Sequence, residues 1–134
     1  MPSARRHPSS KDVAALMDGW PKSWAGTHGD EPVGLRLVAA LRLFMTHLQH
    51  QGLSASTLRR HLDHLWLIGG EIIRQLDDEP ARRDTPTHAL LLEAIHNGEA
   101  PLVHDLTEEQ QAALDATARK LLKFVAASNP WARS

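Results

Sequence analysis

Between Leu37 and Leu76 the apolar residues recur at three- and four-residue spacing, a period that suits a helix and no strand. Leu37, Val38, Leu41, Phe44, Met45 and Leu48 form one stripe, and Leu58, Leu62, Leu65, Ile72, Ile73 and Leu76 form a second. The connection Gln51-Gly52-Leu53-Ser54 carries the marks of a tight turn between them. Gly52 suits the left-handed position just past a helix end. Ser54 is an N-cap residue, and Leu53 and Leu58 stand at the N′ and N4 positions of a hydrophobic staple. The stretch therefore reads as a helical hairpin. Gly69 falls on the second stripe, where the missing side chain would let another helix backbone come close.

The flanking segments follow from local signals. Met1 to Ser10 is polar and basic, with Pro2 and Pro8, and reads as a flexible arm. Arg5, Arg6 and His7 lie on it, and such an arm is more often solvated than bound to phosphate. Ser10 would cap a short helix over Asp12 to Met17, ended by Gly19 and Pro21. Trp20 and Trp24 follow in a loop rich in Gly and Pro, where two indoles near a terminus clasp it onto a core. Asp30, Glu31 and Pro32 start the first long helix, which runs to about Gln51. The second runs from Ala55 to about Leu76, with Gly69-Gly70 marking where it would bend. Asp77-Asp78-Glu79-Pro80 breaks it, as a solvated stretch, and Ala81 to Asp84 is a polar connection. Thr85-Pro86 opens a shorter helix through Leu90, Leu91, Leu92 and Ile95, closed by Gly98. Thr107 and Gln110 have capping-box spacing for a last helix to about Ala127, with a stripe of Leu114, Ala118, Leu121, Leu122 and Val125. Asn129-Pro130 ends it, and Trp131 would fold back onto the bundle. The expected fold is all-α, a single-domain bundle of four or five helices around the central hairpin: an arm over 1–10, then one domain over 11–134 with the hairpin at about 32–76 and later helices at about 86–97 and 108–128.

The hairpin residues also carry a family resemblance. Leu43-Phe44-Met45-Thr46-His47-Leu48, Gly52-Leu53-Ser54-Ala55-Ser56-Thr57-Leu58, His61-Leu62 and Leu65 resemble the first helical hairpin of a core-binding domain. That domain is the SAM-like N-terminal DNA-binding module of tyrosine recombinases (phage integrases). Ala118-Arg119-Lys120-Leu121-Leu122-Lys123-Phe124-Val125, closing on Asn129-Pro130, resembles its end, whereas about 77–115 does not match. Leu65 to Arg74 is further similar to small stand-alone bacterial proteins. In core-binding domains the helix after the Gly-Leu-Ser turn and the late basic helix approach the duplex. The resemblance thus implies double-stranded DNA as partner and Ser54, Thr57, Arg59, Arg60 and Lys120 as contacts.

Charge divides unevenly along the chain. Residues 1–76 hold nine basic and six acidic side chains, 77–115 hold two and ten, and 116–134 hold four and none. A uniformly basic surface is excluded, but a local basic face is not. Arg59 and Arg60 lie in the second turn of the hairpin's second helix, near its positive pole and free N–H groups. Arg119 and Lys123 are i, i+4 neighbours on the last helix, and Lys120 and Lys123 are i, i+3 neighbours. Each basic residue has two readings, phosphate contact or solubility, and the two are evenly matched. For Ser54 and Thr57 helix initiation is the simpler role.

Catalysis finds little support. The chain has no cysteine and no tyrosine, which removes disulfides, thiolate chemistry, cysteine-held zinc and the tyrosine nucleophile of a recombinase. No Walker or dinucleotide fingerprint is present. His47 with His50, and His61 with His64, are i, i+3 pairs on neighbouring helices that invite a zinc site. The hairpin register sets the pairs apart along the axis, so surface and boundary histidines are the simpler reading. Glu71 and Arg74 make an ordinary i, i+3 surface pair. The expectation is a protein that is not an enzyme, without metal or cofactor, binding DNA through a basic face. The alternative is a small protein-interaction or regulatory module, a homodimer through 77–115 among its forms. No apolar run suffices to span a bilayer and no secretory signal opens the chain, so a cytoplasmic location is expected.

Overall fold

A computed structural model describes residues 15–27 and 29–128. The arm over 1–10, the Ser10 cap, the start of the first short helix, and Asn129, Pro130 and Trp131 lie outside the described residues. Within them the chain is a single all-α bundle without a strand. A helical run at 15–18 is followed by α1 (Trp20–Trp24), α2 (Asp30–His50), α3 (Ala55–Asp78), α4 (Thr87–Ile95) and α5 (Glu108–Ser128), with 3-10 turns at Pro80–Asp84 and His96–Gly98.

The α2–α3 hairpin is the centre. Every residue of the two expected stripes is buried. Gly52 adopts φ +73°, and Ser54, in an extended conformation, accepts the Thr57 N–H at 3.2 Å to start α3. Leu53 packs half-buried against the core that holds Leu58. At the other end of the chain the capping box closes reciprocally. Thr107 N–H donates to Gln110 Oε1 at 2.9 Å, and Gln110 N–H to Thr107 Oγ1 at 3.0 Å. Gly98 closes the turn after α4 with φ +75°. α5 lies against α3 and α4 and reaches α2 where Phe124 meets Phe44, with ring centroids 5.6 Å apart.

Four local expectations need correction. Trp20 and Trp24 do not lie in a loop: they bracket the helical turn α1, started by Pro21, and both indoles are buried. Gly69-Gly70 lies inside α3, which is helical over all its 24 residues. The notch at Gly69 takes an indole rather than a helix backbone: a Cβ there would lie 2.3 Å from Cζ2 of Trp24. On α5, Leu122 is only half-buried, and Thr117 completes the stripe with Leu114, Ala118, Leu121 and Val125.

The fourth correction concerns the break after α3. Asp77 is not simply solvated, because Arg83 in the following 3-10 turn bridges Asp77 Oδ1 and Asp30 Oδ1, each at 3.0 Å. Asp30 is 1% exposed and also accepts the N–H groups of Gly26 and Thr27 at 2.8 and 3.0 Å. Burial alone would raise its carboxyl; those N–H groups, a hydrogen bond shared with Asp77 and the Arg83 guanidinium outweigh it and hold Asp30 below the usual carboxylate range. The Asp77 carboxyl is raised, chiefly by sharing that bond with Asp30. Arg36 fastens the same corner by donating to the carbonyls of Arg83 and Thr85 at 2.6 and 3.1 Å.

Candidate nucleic-acid interface

The seven residues singled out for DNA do not act as one surface. Ser54 Oγ is engaged locally: besides accepting the Thr57 N–H, it lies 2.9 Å from Thr57 Oγ1 and 3.3 Å from Ser56 Oγ. Both residues start α3. Ser54→Ala is expected to cost about 1 kcal/mol in urea unfolding, the typical loss for an N-cap. An unchanged midpoint would show that the cap contributes nothing.

Arg59 and Arg60 are adjacent in sequence and so stand about 100° apart around the helix. Arg59 turns toward α1. It lines a groove of about 420 Å³ with Leu16, Trp20 and Trp66, and its Nε pairs with Asp63 Oδ1 at 3.2 Å. Arg60 is exposed and one helical turn from His64, and its charge, like that of Lys120, acts on His61. Lys120 and Lys123 line a second groove, of about 330 Å³, with Phe44, His47 and Phe124. Arg119 lies across Gly98, where a Cβ would meet its Cγ at 2.8 Å. The folded chain thus brings Arg60 and Lys120 to the surroundings of His61, places Lys123 in the groove between α2 and α5, and leaves Arg59 on the flank of α3 that faces α1.

The histidine pairs part company as well. His47 is exposed and its ring lies against Phe124, 4.9 Å between centroids. His61 and His64 instead point inward to Thr117. Their Nδ1 atoms sit 2.8 and 2.6 Å from the single Thr117 Oγ1, which is fully buried. Desolvation, then the charges of Lys120, His64 and Arg60, push His61 down to about 4. His64 is lowered too, chiefly by burial. Among the described residues no group of three or more histidines and carboxylates is arranged to hold a metal ion. The sequence reading had missed Thr117, although the phase of the α5 stripe marks its position.

Among the described residues no helix is long and apolar enough to cross a membrane. Comparison with protein-family models, with curated proteins and with solved structures finds no match to this chain.

Proposed function

We propose that this chain is a non-catalytic DNA-binding module, similar to a recombinase core-binding domain, that meets the phosphate backbone with its α3–α5 side. One observation carries the reading. The exposed cations Arg60 and Lys120 come from the two helices that the family resemblance assigns to the duplex, and both charges act on the same imidazole. Lys123 stands in the adjoining α2–α5 groove, Arg119 lies on the same helix across Gly98, and the first turn of α3 adds N–H groups near its positive pole. Arg59 sits at the margin, already paired with Asp63. The acidic stretch 77–115 would face away from the duplex, since turning it inward would repel phosphate.

About four phosphate contacts at a slope of ~0.9 each give a loss of roughly 3.6 powers of ten in affinity per tenfold rise in salt. Anisotropy titration of a short labelled duplex at several salt concentrations measures it. Arg59→Ala/Arg60→Ala should stay folded, since both positions lie off the buried stripe, and bind distinctly less well. Arg60→Ala alone should account for most of that loss. No binding at low salt, or a double variant as tight as the parent, defeats the proposal.

A second reading, a protein-interaction module, is favoured by the groove between the helical run at 15–18, α1 and α3. Its wall includes Leu16 and Trp66, 43% and 41% exposed, above Leu62 and Leu67. Apolar side chains gathered around a cleft are the usual core of a protein contact. Sedimentation of the purified chain as a monomer at all accessible concentrations would remove the self-association form of this reading.

A further inference from the structure

Thr117 presents one hydroxyl to two imidazoles, and the chemistry of that group restricts both rings. A hydroxyl has one proton to give. Oγ1 donates to one Nδ1, and the other ring must donate its own Nδ1–H to Oγ1. The two histidines therefore hold opposite tautomers when neutral, and the bridge joins α3 to α5 through a wholly buried oxygen. Protonating the accepting ring places a second N–H against that oxygen. The hydroxyl proton then loses its acceptor at a fully buried oxygen, and the ring that gains the charge lies against it.

The surroundings make the charged ring worse off. Arg60 of α3 and Lys120 of α5 act on His61, and Arg60 also acts on His64; only Asp63 opposes them. α4 turns Leu90, Leu91 and Ile95 to the core and no charge, and the buried residues of α2 from Leu37 to Leu48 are all apolar. Thr117 is the polar member of the buried α5 stripe, beside Leu114, Ala118, Leu121 and Val125, with Leu122 and Phe124 packed half-buried at its edges. The bridge is a polar link within an otherwise apolar contact between this helix and the hairpin.

We propose that His61, Thr117 and His64 form an acid-sensitive latch that holds α5 on the hairpin and releases it when the ring accepting the hydroxyl proton is itself protonated. The sign follows from the lowered titration of both rings. The latch is intact above the ordinary histidine range near 6.5, and its contribution is lost as pH falls toward about 4. The proposal goes beyond DNA binding and does not depend on it.

Amide hydrogen exchange resolved by residue, corrected for intrinsic rates, tests the latch between pH 7 and 4. Protection over residues 112–125 is expected to fall at least tenfold more than protection over the stripes of α2 and α3, the mark of local opening. The variant His61→Leu/Thr117→Val/His64→Leu, which replaces every partner by an apolar group, is expected to keep α5 protected at pH 4. Equal acid opening in that variant, or loss of α5 and hairpin protection in step, overturns the latch. Nitrogen NMR of the imidazoles in the unaltered protein gives an independent reading. Two neutral rings of opposite tautomer at pH 6 support the bridge, and ordinary titration of both near pH 6.5 with α5 still protected refutes it.

Discussion

Trp24→Ala is expected to lower the unfolding free energy by about 3–5 kcal/mol, the range for removing a large buried aromatic ring. The indole is the piece that fits the N-terminal segment to the hairpin. It fills the notch left by Gly69, and a Cβ at Gly70 would also touch it, 3.3 Å from Cδ1. Its Nε1 donates to the carbonyl of Trp66 at 3.0 Å, so the polar edge of the ring is satisfied on α3 itself. Trp20 packs at a tilt on the other side, with centroids 5.5 Å apart, and Trp66 returns the contact by donating to Ser23 Oγ at 3.0 Å. Gly69→Ala gives the complementary result. Alanine favours the helix by roughly 1 kcal/mol, yet its methyl group must displace the ring, which costs about 1–3 kcal/mol and strains the Trp66 bond. The change is expected to destabilise the parent and to stabilise the Trp24→Ala background. That reversal is a coupling of at least ~1 kcal/mol in a double-mutant cycle by urea unfolding. Additive effects would mean that ring and notch are not partners.

The contrast between α3 and its partner ring shows what a sequence can reveal about this fold. Gly52, Ser54, Thr107 and Gln110 were legible because each acts within one helical turn, and a cap or a left-handed glycine needs no distant partner. The stripes were legible because a period of 3.6 is a property of the segment itself. Gly69 was visible as a gap in a stripe, but nothing near it names the side chain that fills the gap, which lies 45 positions earlier. Thr117 was overlooked for a related reason. A polar residue on an apolar stripe is passed over unless its partners are known, and His61 and His64 are 56 and 53 positions away. The division of Arg59 from Arg60 is different. It follows from the helical period alone, so the separation of the candidate DNA residues into two flanks was within reach of the sequence.

Arg83→Ala is the other substitution expected to cost most, about 3 kcal/mol at neutral pH. Removing one partner of a buried ion pair usually costs about 3–5 kcal/mol, because the other charge is left uncompensated. The lower end applies here, since the Arg83 side chain is 23% exposed and Asp30 keeps the N–H groups of Gly26 and Thr27. What it loses is the cation between two carboxylates. Asp30 and Asp77 both accept from the same Arg83 nitrogen, and with Arg83 absent their repulsion has nothing to offset it. The guanidinium also packs on the backbone before α2: a Cβ at Gly29 would lie 2.7 Å from its Nη1. Arg83→Lys should therefore recover only part of the loss, because a single ammonium can replace Nη2 between the carboxylates but not the rest of the guanidinium packed on Gly29. pH separates this account from a simple loss of packing. Without the arginine the carboxyl pair binds a proton more tightly in the folded chain than in the unfolded one, so acid favours folding of the variant. The stability difference between parent and variant, each measured by urea unfolding at the same pH, should shrink from pH 7 to 5. Taking that difference cancels the histidine contribution, which both proteins share. A deficit equally large at both pH values would assign the loss to packing, and one below ~1 kcal/mol would mean that the triad is an ordinary surface ion pair.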